Sequence, residues 1–335
     1  MTPPMKLSIL DQSPVIAGQR GTDAIVQTMD LVQHADVLGY HRYWFAEHHA
    51  SASFAGASPE IMMANAAART LRIRVGSGGI LLGHGEPFRI AESLRTLEAL
   101  APGRIDAGFG RAPGGDQRVM KALGERPLDS WERLDTVLAY LRDAREPSND
   151  GAPVAVPDGA SIPEPWILGT SAESAMQAAK RGLRYTFGSF IDPTNLVDAL
   201  TAYHANFTPS VWCDRPYTMI ATVAFAAETE ADAQRAAQSS ERWFVESFLR
   251  GRNVRFPHVN GEAFDVSAME RVITGMRRST VHIGTATQVA DGLRELQQRY
   301  AVDELALVTI TDDHAIRRAS YELLADEFSL ASSVA

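Results

Sequence analysis

Tyr43-Trp44-Phe45-Ala46-Glu47-His48-His49 is the stretch whose reading decides the fold. Three aromatics in succession suit a buried strand, and a carboxylate and two imidazoles follow where that strand should stop. Titratable groups are costly in an apolar core but useful at its mouth. In a barrel of parallel strands, chemistry gathers at the carboxyl ends of the strands. The rest of the chain is therefore read for seven more strands and a ligand site.

Upstream, residues 6–10 form a short apolar strand that stops at Asp11-Gln12-Ser13-Pro14, where the proline cannot extend a ladder. Thr22-Asp23, the helical spacing of Ile25, Val26, Met29, Val32, Ala35 and Leu38, and the stop at Gly39 predict the first helix. Downstream, Pro59 opens a helix reaching residue 70, residues 73–80 form a strand running into glycines, and Pro87 opens a helix with Phe88, Ala91, Leu94, Leu97 and Leu100 on one face. Further strands are expected at 105–109, 166–168, 184–187, 218–225 and 305–310. Helices are expected at about 130–144, after Ser171, and at 195–204, 231–249, 285–300 and 315–328. Residues 146–165 read as a surface loop.

Eight alternations of strand and helix predict an α/β fold, a (β/α)8 TIM barrel occupying residues 1–335 as one domain. An open doubly wound sheet is the structural alternative. Residues at about 250–280 break the rhythm. They hold Arg250, Arg252, Arg255, Arg271, Arg277 and Arg278 against Glu262, Asp265 and Glu270, and read either as a lid inserted after the seventh strand or as a solvated loop.

Composition excludes several function classes. A chain that is 45% hydrophobic and 22% charged is an ordinary soluble globular protein. A net charge of −9 argues against a nucleic-acid partner and an anionic membrane surface. The single cysteine, Cys213, leaves no internal disulfide and no cysteine-rich metal site. No secretory pattern follows Met1 and no apolar run reaches membrane length, which points to the cytoplasm.

Three loop ends could carry chemistry. Gly169-Thr170-Ser171 leads into a helix whose free amides and dipole attract an anion, with Ser171 and Ser174 adding hydroxyls and Arg111 available from a neighbouring strand end. The plainer alternative is a capped helix and a surface arginine. Gly76-Ser77-Gly78-Gly79 could lie flat against an aromatic ring, or mark a bulge. In strand geometry His48 and His49 point to opposite faces, so at most one of them faces the mouth, as a proton-managing group or a satisfied buried histidine.

Other chemistries find no support in the motifs. A metal site would have to enlist Glu47 with His34 or His41, and the spacing offers no histidine pair for it. The run from Gly108 to Gly114 fails as a dinucleotide fingerprint, because Pro113 stands where the third glycine belongs. There is no nucleophile elbow, and Met62 and Met63 read as core fill.

Taken as an ordered set, Glu47-His48-His49, Ala55-Gly56-Ala57-Ser58-Pro59-Glu60, residues 74–79, residues 97–104 and residues 108–116 resemble the bacterial luciferase-like, flavin-dependent monooxygenases. The resemblance spans nearly the whole chain and is densest over residues 6–116. It implies a barrel that binds reduced FMN, supplied by a separate flavin reductase, and uses O2 through a flavin peroxide to oxygenate a small organic substrate. It further implies His48 as the catalytic histidine, Arg111 and Ser171 on the FMN phosphate with Thr170 and Ser174 nearby, and Ser77, Gly78 and Gly79 under the isoalloxazine with a non-prolyl cis peptide.

A homodimer through the helices after the second and third strands is likewise expected from relatives. Two departures stand out: Gly110 replaces the reactive cysteine of the luciferase catalytic subunit, and His84-Gly85-Glu86 replaces a more aromatic loop. A deazaflavin-dependent hydride-transfer enzyme, a non-catalytic flavin-binding or partner subunit, and a metal-dependent barrel hydrolase remain the alternatives.

Overall fold

The computed structural model describes residues 5–124, 129–147, 151–259 and 264–331. Among these, the strands are β1 (Lys6–Asp11), β2 (Arg42–Phe45), β3 (Arg74–Ser77), β4 (Ile80–Leu81), β5 (Ile105–Gly110), β6 (Glu164–Gly169), β7 (Arg184–Gly188), β8 (Thr218–Ala227), β9 (His282–Thr285) and β10 (Glu304–Val308). Eight of them close a parallel barrel in the order β1-β2-β3-β5-β6-β7-β8-β10, because β10 pairs with both β8 and β1. That closure excludes the open doubly wound sheet.

Alternation along the strands builds two layers of core. Leu7, Ile9, Tyr43, Phe45, Val75, Ile105 and Tyr185 point outward under the helices, while Leu10, Trp44, Trp166, Met219, Ala306 and Val308 fill the interior. Met62 and Met63 are core fill, as the sequence suggests.

At the amino-terminal end of the barrel, buried Arg42 donates to Asp106 at 2.8 Å and lies 3.1 Å from Glu304, and Arg74 bridges Asp106 at 2.7 Å and Glu164 at 3.0 Å. Burial, the largest influence, pushes the Asp106 and Glu304 carboxyls up, but Arg42 together with Arg74 and Trp44 at Asp106, and with His41, Ser8 and Tyr217 at Glu304, holds both below their ordinary range. Trp44 Nε1 donates to Asp106 at 2.9 Å, tying this charged floor to the aromatic layer above. Nothing in the local sequence pattern pointed to it.

Several expected boundaries shift. The single strand expected over 73–80 is broken by a cis peptide between Gly78 and Gly79, and β4 then pairs with β5. The first helix starts at Gly21 rather than at Thr22-Asp23: Arg20 is its cap, and Asp23 accepts from the Arg20 amide at 2.9 Å. The long helix after β8 is α-helical over Glu230–Trp243 and then widens into a π turn, Phe244–Leu249.

The segment from 250 to 280, read from sequence as a lid or a solvated loop with no clear strand, holds a capped helix, Ala268–Arg278, and leads into β9, which pairs with the end of β8 outside the barrel. Its arginines are substantially committed: Arg250 pairs with Glu246 and Glu270, Arg252 with Glu246 and Arg278 with Glu241, while Arg277 lies over the Phe244 ring. Glu262 lies outside the described residues. Phe256 exchanges backbone hydrogen bonds with Val15 and Ala17, so this insertion is laced to the loop after β1.

Candidate active site

A cavity of about 610 Å3 opens at the carboxyl ends of the strands. Concavities of about 700 and 720 Å3 open on the outer surface, but the residues singled out by sequence gather at this one. Its wall includes Gly78, Gly79, Arg111, Thr170, Ser171 and Ser174, together with Glu47 and His48.

The helix Ala172–Lys180 aims its amino terminus into the cavity. Ser171 caps it by accepting from the Ser174 amide at 3.2 Å, and Ser174 Oγ donates to the Ser171 carbonyl at 2.9 Å. First-turn amides of such a helix lack intrahelical partners and favour an anion. Arg111, just past β5, stacks on Trp131 with 4.2 Å from guanidinium to ring and is ion-paired with Glu173 in that same first turn. Trp131 Nε1 donates to Glu173 Oε1 at 2.7 Å. The sequence reading named Arg111 and Ser171 but missed Trp131 and Glu173, which reach the site only through tertiary packing.

The opposite wall is built from the strand-end stretch. His48 faces the cavity and His49 does not: His49 Nε2 lies 2.8 Å from Glu47 Oε1 and its amide donates to the Gly114 carbonyl. Glu47 Oε2 accepts from the Leu81 amide at 2.9 Å and so anchors β4. Burial, with a smaller contribution from His49, lowers the His48 pKa to about 4, so the ring is neutral near pH 7. It packs on Phe54 with centroids 4.5 Å apart, and Phe54 packs on Trp243, at the end of the helix Glu230–Trp243, and on Phe256 from the insertion.

Between the two walls, Gly78 and Gly79 present backbone without side chains. A Cβ on Gly79 would meet the Gly108 carbonyl at 2.9 Å, and one on Gly78 would run into Leu10 Cδ1. Ser77 stands one step behind this surface. It is fully buried, its hydroxyl donates to the Gly108 carbonyl at 2.7 Å and accepts from the Gly108 amide at 3.0 Å, and it does not line the cavity.

Two buried polar atoms at the cavity have no hydrogen-bond partner among the described residues: His48 Nδ1 and Thr186 Oγ1. Buried polar atoms are normally satisfied, so both invite a ligand. Thr186 was missed, although its place between outward Tyr185 and Phe187 marks it as an inward polar residue nearer the carboxyl end of the strand than Arg184.

An anion-attracting end, a flat backbone face and two unpaired polar atoms together fit an FMN-sized group with a terminal phosphate. The candidates for a metal set do not converge. His34 pairs with Glu322, Glu47 is bound to His49 and Leu81, and no group of three potential ligands lies together among the described residues. Cys213 is a free buried thiol donating to the Arg215 carbonyl.

Comparison with known proteins places the chain in a family. The luciferase-like monooxygenase family matches residues 5–303. An N-acetyl-S-alkylcysteine monooxygenase from Bacillus subtilis is 33% identical over 331 residues, covering 96% of this chain and 98% of its own. The structure of apo-MsnO8 superposes with a TM-score of 0.85 at 34% identity, covering 98% of each chain. The fold alone is shared with the FMN complex of the oxygenating constituent of 3,6-diketocamphane monooxygenase from Pseudomonas putida (TM-score 0.70, 18% identity, 97% of this chain and 98% of that one). It is also shared with an F420-dependent secondary alcohol dehydrogenase (TM-score 0.64, 12% identity, 96% and 98%).

Proposed function

Because this chain belongs to the luciferase-like monooxygenase family, we propose that it is a flavin-dependent monooxygenase that uses reduced FMN and O2 to oxygenate a small organic substrate. The observation that carries the reading is the convergence of Arg111, Thr170, Ser171 and Ser174 at one end of the cavity with His48 at the other and side-chain-free Gly78-Gly79 between them. When bound, the reduced flavin supplies the electrons that activate dioxygen.

The protein's own residues supply position and environment. Arg111, the Thr170 and Ser171 hydroxyls and the helix amides hold the phosphate. Gly78 and Gly79 let the ring lie against backbone. Neutral His48, its Nδ1 unpaired, accepts a proton or hydrogen bond from the reacting groups. Phe54, backed by Trp243 and Phe256, keeps water from the His48 side.

The proposal includes delivery of reduced FMN by a separate flavin reductase, a cytoplasmic location and a homodimer. Ile61 and Leu100, 71% and 68% exposed on the helices Pro59–Arg69 and Pro87–Leu100, support the dimer. No helix among the described residues is long and apolar enough to cross a membrane. Given the sulfur substrate in the name of the Bacillus subtilis relative, thioethers belong in the first substrate screen.

The test is an anaerobic titration with reduced FMN and, separately, with reduced F420, followed by admission of oxygen while the flavin absorbance is followed. FMN binding with oxygen consumption and an oxygenated product supports the reading. F420 binding with hydride transfer and no oxygen uptake replaces it.

A further inference from the structure

The guanidinium assigned to the phosphate already has an anion. Arg111 is ion-paired with Glu173, and Glu173 also accepts from Trp131 Nε1 at 2.7 Å while standing in the first turn of the helix that points into the cavity. A carboxylate there is doubly favoured, by the arginine and by the positive end of the helix dipole. It occupies the electrostatic position that a phosphate would take. The pair is part-exposed, 38% on the arginine and 45% on the glutamate, so it can open without breaking the core.

Two observations independent of the helix terminus point to a ligand in this cavity: Thr186 Oγ1, on a residue 1% exposed, and His48 Nδ1 both lack a partner there among the described residues. Building on the FMN reading above, we propose that Glu173 is a specificity-determining internal competitor, whose carboxylate holds Arg111 in the empty site and must yield it to an incoming phosphate monoester. Glu173 then sets two properties. It lowers the affinity for the phosphorylated flavin, so that the cofactor can exchange between turnovers. It also leaves Arg111 ordered on Trp131 when no phosphate is present.

A phosphate dianion displaces the carboxylate because it brings more charge and more acceptor oxygens to the same donors. A flavin without a phosphate has nothing to exchange for the ion pair. Glu173 should therefore affect FMN and riboflavin differently.

The test is anaerobic titration, followed by protein fluorescence, of Glu173→Gln and the unaltered protein with reduced FMN and with reduced riboflavin, with circular dichroism to verify the fold. Removing the competitor should tighten FMN by about fivefold, the scale of one part-exposed ion pair, and leave riboflavin unchanged. A Glu173→Gln protein that binds FMN equally or more weakly overturns the proposal and makes Glu173 a residue that positions Arg111. If neither protein binds FMN, the proposal falls together with the flavin reading on which it rests.

Discussion

His48 packs on Phe54 with ring centroids 4.5 Å apart and planes tilted by 32°, at the cavity wall where burial keeps the imidazole neutral. Burial lowers its pKa from 6.5 to about 4, and His41, near the barrel floor, is lowered to about 4 for the same reason. Their folded-state values lie below the unfolded ones, so each contributes stability that is complete above about pH 6.5 and is lost as pH falls toward 4. The unfolded chain binds the proton first. Each should be worth up to about 3 kcal/mol across that window. Urea unfolding at intervals from pH 7.5 to 4 should show the decline, and His48→Gln should flatten it. The same variant should retain flavin binding and lose product formation, and unchanged turnover would remove His48 from the chemistry.

Arg111→Ala removes a charged donor from the anion-binding end of the cavity. Its affinity for FMN should fall by about 1.5–3 kcal/mol, the scale of a hydrogen bond to a charged group, while riboflavin affinity changes little. Equal losses for both flavins would place Arg111 elsewhere than on the phosphate.

Thr186→Val replaces a buried hydroxyl that has no partner among the described residues by an isosteric methyl group. Stability should be unchanged or rise by up to about 1 kcal/mol, since no hydrogen bond is lost on folding. Ligand affinity should drop if the hydroxyl meets flavin or substrate. Chemical denaturation and titration of the same sample separate the two effects, and undiminished affinity would show that Thr186 contacts neither.

Gly78→Ala and Gly79→Ala should differ although the residues are adjacent. The new methyl at 78 meets the end of the Leu10 side chain, which can rotate, whereas at 79 it meets the backbone of Gly108 and Phe109 at 2.9–3.0 Å. Gly79→Ala should cost about 1–3 kcal/mol by overpacking, and Gly78→Ala less. Thermal unfolding of the pair decides it, and equal losses would mean that β3 and β5 separate easily.

Arg42→Met leaves Asp106 and Glu304 without their central counter-charge at the barrel floor. Breaking a buried pair from one side costs about 3–5 kcal/mol. The loss should shrink as pH is lowered, because Glu304, no longer held down by Arg42, protonates and ceases to need it, while Asp106 keeps Arg74. Denaturation curves at pH 7 and pH 5 check the sign, and a constant loss would show that packing rather than charge dominates.

Period-two and period-3.6 patterns gave the barrel, since strand and helix alternation is written locally in residues such as Tyr43-Trp44-Phe45 and in the face from Phe88 to Leu100. The glycine run and the Ser171 cap were equally local, as each follows from backbone geometry over a few residues; His48 and His49 diverge too, but both lie beyond β2, so strand alternation is not the reason. Ser77 was drawn into the cavity by its neighbours' company, but its hydroxyl is spent on Gly108 across the β3–β5 seam. The insertion was visible as a break in rhythm. Its helix and its lacing to Val15 and Ala17 were not, because those contacts join residues about 240 positions apart.

What the sequence determined by itself was therefore the order of elements and the identity of the groups at the strand ends. Only the tertiary structure decided which of those groups meet: that Glu173 and Trp131 converge on Arg111, that Thr186 is left unpaired, and that Arg42 sits among three carboxylates. Local periodicity sets which way a side chain points along its own strand or helix. Its partner depends on closure of the barrel, which brings into contact residues that no local pattern relates.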